Sequence, residues 1–385
     1  MVSFKKELYN SILAYQTYPP GLMLGKTGLC FFLTSERSRR NLAISQEIID
    51  TLNSDLTLFR GFAISSGTSG FYLLLKYLKK CDLLDDGFQT NMSFVDEICD
   101  FGLNRYISGK NFDYLHGYLG IYNTFIYNIP SKQVQQNPQH FYNSSFDNIL
   151  GFLDPQNPVF PFDKNIDQTR YLANMGLAHG IPSILSVLIN HHKVFPSKEN
   201  LKTITAIVDF ILSKKRNACL LQSKFSSVLK KDNNREEEKE SRLAWCYGDL
   251  GVNLCLLKAS IVVGDNVLEQ NIVGDLITTC KRRTYEETSV IDCSFCHGAA
   301  GLVYYYKKLY NRYKIFEFKD AYEYWERFIL TRYNSHGIKG LNTFYGAKGW
   351  TLEYGILEGL IGIYLAFFDE DFDCGIFDYI FLTDF

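Results

Sequence analysis

What the chain lacks narrows its class before any motif is read. It has no excess of charge of one sign, since 40 Lys and Arg stand against 42 Asp and Glu for a formal net charge of -2. No segment gathers the basic residues that a phosphate backbone demands, so nucleic acid is not an expected partner. Long hydrophobic runs are missing as well. The most apolar stretch, Tyr354 to Phe368, is only 15 residues long and contains Glu358, too short and too polar to span a bilayer, so no transmembrane segment is expected. No apolar h-region follows the charged opening residues Lys5, Lys6 and Glu7, and without a secretory signal the expected location is cytoplasmic, with membrane association only through partners.

What is present points to a large packed core. Hydrophobic residues make up 46% of the 385 and aromatics 15%, which excludes a disordered chain. That length suits two ordinary domains or one large closed one. The ten cysteines, in a chain read as cytoplasmic, are expected to be core, metal-binding or catalytic residues instead of disulfides.

A short pattern, Gly-x-x-Gly followed at once by an apolar run, recurs along the chain. Its copies are Gly67-Thr-Ser-Gly70, Gly117-Tyr-Leu-Gly120, Gly180-Ile-Pro-Ser183, Gly248-Asp-Leu-Gly251, Gly298-Ala-Ala-Gly301 and Gly359-Leu-Ile-Gly362, of which only the third loses its second glycine. Successive copies start roughly 50 to 70 residues apart, room for two helices and their connections. The runs after the glycines are apolar on most faces and predict buried helices, and small residues in the first turn allow a close neighbour. Amphipathic stretches between them, such as Phe94 to Tyr106 and Leu201 to Lys214, suit an outer layer. The expected fold is therefore all-α, an α/α toroid of six inner and six outer helices, and residues 1–385 form one domain. An open solenoid of stacked helix pairs is the rival. Closure is favoured by the residue before each first glycine, which is polar every time: Ser66, His116, His179, Tyr247, His297 and Glu358. Six polar residues capping buried helices need a common wet space.

Two segments read as insertions. Asp154 to Pro161 is proline-rich. The run Lys230 to Glu240 carries nine charges in eleven residues and, within a loop insertion at 217–241, is expected to be solvated and mobile and to carry no chemistry.

Cysteine stands two residues before the glycine in two adjacent repeats, in Trp245-Cys246-Tyr247-Gly248 and Phe295-Cys296-His297-Gly298. The repeat symmetry directs both toward one axis. With His297 they make a Cys₂His set of three, the number a catalytic zinc uses while keeping a fourth position open. Two thiolates and a neutral imidazole cancel the charge of Zn²⁺, so the site favours ionising a thiol over activating water. Cys293, in Cys293-Ser-Phe-Cys296, leaves two other readings open: a redox-active Cys-x-x-Cys, or a fourth ligand closing a structural zinc.

At these residues the sequence resembles the lanthionine synthetase C family of zinc-dependent lanthipeptide cyclases. The resemblance rests on the Trp-Cys-Tyr-Gly and Cys-His-Gly-x-x-Gly motifs, on Ala178-His179-Gly180, and on the six glycine repeats in order. It implies one Zn²⁺ per chain held by Cys246, Cys296 and His297. It further implies Michael-type addition of peptide cysteine thiols to dehydroalanine or dehydrobutyrine, giving lanthionine or methyllanthionine rings in a precursor peptide made for antibiotic biosynthesis. A dehydratase and an exporter are the implied partners. His179 matches the family's active-site histidine and Tyr247 the tyrosine after the first cysteine ligand, while Asp113 and Arg242 fall at its acidic and basic positions. Leu250 replaces a proline common in the family, and Ser183 a glycine. Three other functions compete. One is addition of glutathione to dehydroamino acids in proteins, as in eukaryotic relatives. Another is protein prenylation on a similar toroid, and the last is a non-enzymatic peptide-binding scaffold with a structural zinc.

Overall fold

The computed structural model describes residues 1–35, 38–83, 89–108, 111–128, 171–216, 222–230, 240–368, 370 and 374–385. Its helices run α1 (Val2–Ala14), α2 (Lys26–Ser35), α3 (Arg39–Ser54), α4 (Thr68–Lys80), α5 (Gln89–Ser108), α6 (Tyr118–Ile126), α7 (Ile181–Val194) and α8 (Lys198–Ser213). They continue with α9 (Asp249–Val263), α10 (Asn266–Thr279), α11 (Tyr285–Thr288), α12 (Ala299–Tyr313), α13 (Phe316–His336), α14 (Leu360–Phe367) and α15 (Cys374–Ile380). Two short antiparallel pairs complete the described elements: β1 (Tyr171–Asn174) with β2 (Val228–Lys230), and β3 (Thr343–Phe344) with β4 (Trp350–Thr351). The proline-rich stretch 154–161 and residues 231–239 of the charged run lie outside the described residues.

Each of the six glycine pairs opens a buried helix, in order α4, α6, α7, α9, α12 and α14. The amphipathic helices pack outside them, α5 against α4 and α6, α8 against α7 and α9, α10 against α9, α13 against α12 and α1 against α14. Among the described residues there is also a seventh inner helix, α2, backed by α3. Its motif Gly25-Lys-Thr-Gly28 precedes Leu29 to Leu33. It escapes the sequence pattern because Lys26 stands inside it and Leu24, not a polar residue, before it.

Wherever the pair is complete, its second glycine is required by a close approach. A Cβ on it would lie 2.2 Å from the Leu22 carbonyl oxygen at Gly28, 2.5 Å from Ile64 at Gly70, 2.1 Å from Tyr114 at Gly120, 2.3 Å from Trp245 at Gly251, 2.1 Å from Phe295 at Gly301 and 2.1 Å from Ile356 at Gly362. The same positions receive a side chain from the adjacent repeat: Leu22 on Gly70, Ile64 on Gly120, Leu177 on Gly251 and Phe295 on Gly362. The last repeat returns to the first, because Ile356 packs on Gly28 and Phe32 of α2 meets Tyr364 of α14 edge to face at 5.1 Å. The toroid is closed.

Backbone hydrogen bonds tie the turns before the inner helices into the same ring. Met23 N–H donates to Ser65 O (2.9 Å), Ser65 N–H to Leu115 O (3.2 Å), Ala178 N–H to Cys246 O (3.4 Å), Cys296 N–H to Leu357 O (2.8 Å) and Ile356 N–H to Met23 O (2.8 Å). At the remaining two junctions, 115 to 178 and 246 to 296, side chains meet instead. The far end of the bore is filled by α15 and residues 381–385. The Tyr114 hydroxyl donates to Ile380 O (2.7 Å), Tyr379 to Asn123 O (2.6 Å) and Lys308 Nζ to Thr383 O (2.6 Å), while the buried Lys258 of α9 pairs with Asp384. Among the described residues these contacts close the far end of the central space, opposite the turns where the inner helices begin.

Two alanine substitutions should move stability in opposite directions. Gly120→Ala places a methyl against backbone and the Ile64 side chain, and the overpacking is expected to cost about 3 kcal/mol, the upper part of its usual range. Gly274→Ala in α10 faces nothing within 4 Å and should gain about 1 kcal/mol from helix propensity. Urea unfolding midpoints measure both.

Candidate metal centre and active site

The turns that begin the inner helices carry the chemistry. Asn111, Asn174 and Asp292 stand at the same distance before the glycines of their repeats, and each closes its turn by accepting from the backbone N–H two residues on. Such side-chain turns hold the chain in a fixed bend. The next residues therefore point into the mouth of the toroid in register. Repeat four has Arg242 at that place and bends differently. Its Gly248 takes φ +86°, and a Cβ there would lie 1.8 Å from the Arg242 carbonyl.

At the 246 to 296 junction the donor atoms of Cys246, Cys296 and His297 all lie within 4.8 Å of one another. Both cysteines are buried, at 5% and 7% exposure, and the His297 side chain is 20% exposed. One thiol bonds to the other. The hydrogen bond from Cys296 pulls the pKa of Cys246 down to about 7 against the effect of burial, helped by the positive potential of His297 and Arg242. The same contact, with burial, pushes Cys296 well above the ordinary thiol range. The two shifts run in opposite directions, and a soft divalent cation bound to both sulfurs would favour the thiolate of each.

Two carboxylates flank His297, Asp292 Oδ2 at 3.4 Å from Nε2 and Glu358 Oε1 at 3.6 Å from Nδ1. Burial opposes charge on the imidazole, but these neighbours outweigh it and raise its pKa. Carboxylates of this kind orient ligating histidines and raise their basicity. Asp292 is itself held by Ser294 Oγ (2.8 Å) and by the N–H of Phe344 (3.1 Å) at the start of β3. Its role escapes a reading of Cys and His alone, although the shared turn position of Asn111, Asn174 and Asp292 is a visible signal. For Glu358 the sequence signal is its place in the polar ring alone.

Cys293 does not join the cluster. Its Sγ lies 4.0 Å from the Gly340 carbonyl, fully buried, and its pKa is pushed up to about 12 by desolvation. Among the described residues the metal-binding group has three members, so neither a fourth protein ligand nor a reactive Cys-x-x-Cys is formed.

At the 115 to 178 junction His179 Nδ1 donates to Asp113 Oδ2 at 2.6 Å. Asp113 is buried and its other oxygen accepts from the His116 N–H at 2.7 Å, which fixes the carboxylate and, through it, the imidazole. The His179 ring lies 6.0 Å from Tyr247, whose hydroxyl accepts from Asn174 Nδ2 at 3.2 Å, and 5.6 Å from the stacked ring of His116. The structure therefore brings His179, Tyr247 and Asp113 into one group beside Cys246, and Arg242 and His179 both contribute to the potential at that thiol. The charged run ends differently from expectation. Glu240 is not a freely solvated residue, because its carboxylate accepts the N–H groups of Gln222 and Ser223, both at 2.7 Å.

A family model described as lanthionine synthetase C-like protein matches residues 16–371. The chain belongs to the lanthionine synthetase C-like family. Within it, the nisin biosynthesis protein NisC of Lactococcus lactis subsp. lactis is 24% identical over 347 residues, covering 83% of this chain and 81% of that protein. The solved structure of nisin cyclase superposes with a TM-score of 0.72 at 18% identity, covering 100% of this chain and 98% of the other. At that identity the superposition speaks for the toroid alone. No described helix of this family member is long and apolar enough to cross a membrane.

The donor set makes a direct prediction. Cys296→Ala and His297→Ala should each abolish stoichiometric retention of zinc after dialysis, whereas Cys293→Ala should keep full occupancy. Elemental analysis of the purified proteins measures all three, and full zinc in Cys296→Ala would refute the assignment.

Proposed function

We propose that this chain is a zinc-dependent lanthipeptide cyclase, closing thioether rings in a precursor peptide that carries dehydrated Ser or Thr residues together with Cys. The observation that carries the reading is the convergence of Cys246, Cys296 and His297 beside the Asp113–His179 pair, in a chain of the lanthionine synthetase C-like family. The donors suit zinc, being two sulfurs and an imidazole gathered within 4.8 Å of one another. When bound, zinc would supply a Lewis acid that keeps an incoming peptide thiol ionised at neutral pH.

The remaining work falls to the protein. A C–S bond forms at the β-carbon of the dehydro residue, the alkene electrons pass to an enolate on the adjacent amide, and the α-carbon takes a proton. The product is an isomer of the substrate. Asp113 accepts from Nδ1–H of His179, which fixes the ring's orientation, so Nε2 is the atom that would deliver the proton. Arg242 sets positive potential at the thiols, where negative charge gathers. Tyr247 takes the Asn174 amide as donor to its oxygen, so its own O–H proton is directed as a donor. The precursor peptide enters from the open end of the bore, where His179, Tyr247, His297 and Glu358 reach solvent.

His179→Ala should keep its fold and zinc and slow ring closure by about 10²- to 10⁴-fold, the usual worth of a positioned acid. Since cyclisation leaves mass unchanged, free cysteines in a dehydrated precursor peptide are counted after alkylation. Unchanged rates in His179→Ala would remove it from the mechanism, and faster consumption of added glutathione than of the peptide's own thiols would favour intermolecular thiol addition.

A further inference from the structure

The ring of turns is tied by backbone hydrogen bonds at five junctions among the described residues, and the 246 to 296 junction is not among them. Leu243 N–H donates to Thr288 O at 2.9 Å, three residues before Cys246 and eight before Cys296, which leaves the two cysteine positions themselves to be held by other contacts. The segment that fills the bore reaches up to this junction and touches both turns at the residue before each cysteine. The indole Nε1–H of Trp245 donates to the carbonyl of Phe381 at 2.8 Å, and the Phe381 ring stacks on Phe295 with centroids 4.4 Å apart and planes 22° apart. Trp245 also meets the Phe381 ring edge to face at 5.4 Å. All three side chains are fully buried.

The contact is anchored from below. Leu382, next to Phe381, sits at φ +61°, a left-handed conformation that a branched side chain adopts at a cost and that persists only where the surroundings over-determine it. Here they do: Tyr114 binds Ile380 O, Lys308 binds Thr383 O, and Lys258 holds Asp384 while also donating to Asn190 Oδ1 at 2.6 Å. Polar partners from several inner helices thus fix the height and tilt of Phe381 beneath the cysteines.

We propose that Phe381 is a positioning residue for the metal centre, clamping the Trp245–Cys246 and Phe295–Cys296 turns together at the level where backbone bonds join the turns of the five tied junctions. The inference rests on the metal centre proposed above and adds a requirement that lies outside the donor set. Residues that support metal ligands in this indirect way typically change metal affinity by about 10- to 100-fold when altered.

The test is zinc affinity of the full chain by chelator competition, with folding followed separately by circular dichroism. Trp245→Phe removes the indole N–H and keeps an aromatic ring, and Phe381→Leu keeps the carbonyl and an apolar side chain but removes the stacked ring. Each should weaken zinc binding by about 10- to 100-fold while retaining helical content. Trp325→Ala, at an equally buried site on the outer helix α13, should lower the melting temperature and leave zinc affinity unchanged. Should Phe381→Leu not fold, Trp245→Phe decides alone. Wild-type affinity in the folded variants overturns the inference and leaves the metal centre standing, as does an equal loss in Trp325→Ala. A wild-type protein that holds no zinc overturns both.

Discussion

Seven turns, each opening a buried helix, have to be held in one ring. This constraint governs the rest of the molecule. An inner helix apolar on all sides has no solvent face to orient it, so its placement depends on how its first turn is tied. The second glycine lets the helix sit down on the carbonyl of its own preceding turn and take a side chain from the next repeat. Backbone hydrogen bonds then link turn to turn. Because each such bond uses groups that must be satisfied in any buried turn, the ring costs no side chain, and the residues just before the glycines are left available for chemistry.

The two junctions closed by side chains are the two that carry the candidate site. At one, a carboxylate and an imidazole meet; at the other, two thiols and a second imidazole. A ring uniform in backbone would have been simpler to hold together but would have offered no gap in which side chains of neighbouring turns could meet. The local weakness and the local chemistry share an address, which fits the wider tendency of functional sites to break the rules that the surrounding fold obeys.

Much of this was readable in the sequence because it is written at a fixed offset from glycine. The six repeats, the toroid, and the grouping of Cys246, Cys296 and His297 follow from position relative to those glycines, whereas the place of Cys293, left open by the sequence, is decided by the fold, which turns it to the Gly340 carbonyl. What escaped reading is of two kinds. The seventh inner helix α2 repeats the motif with Lys26 inside it and Leu24 before it, so a search tuned to polar-Gly-x-x-Gly passes over it. The filling of the bore by residues 374–385 has no periodic signal at all: Trp245 to Phe381 and Tyr114 to Ile380 are contacts between residues distant in sequence, specified by shape and by the partners of Lys258 and Lys308. Asp113 could be placed from the family resemblance, but its hold on His179 depends on two repeats being neighbours in space.

Closure of the ring between its first and last repeats has a consequence for how the chain acquires its shape. Met23 accepts from Ile356, and Ile356 packs on Gly28, so the seam joins segments far apart in the sequence. Contacts of such wide separation form late, because the entropy of bringing the segments together must be met before they are rewarded. The cysteine turns, by contrast, belong to adjacent repeats and can approach one another while the arc is still open. A partly folded chain would then be a curved, unclosed array with an apolar edge at α2 waiting for α14, and the closing of that seam would complete the fold.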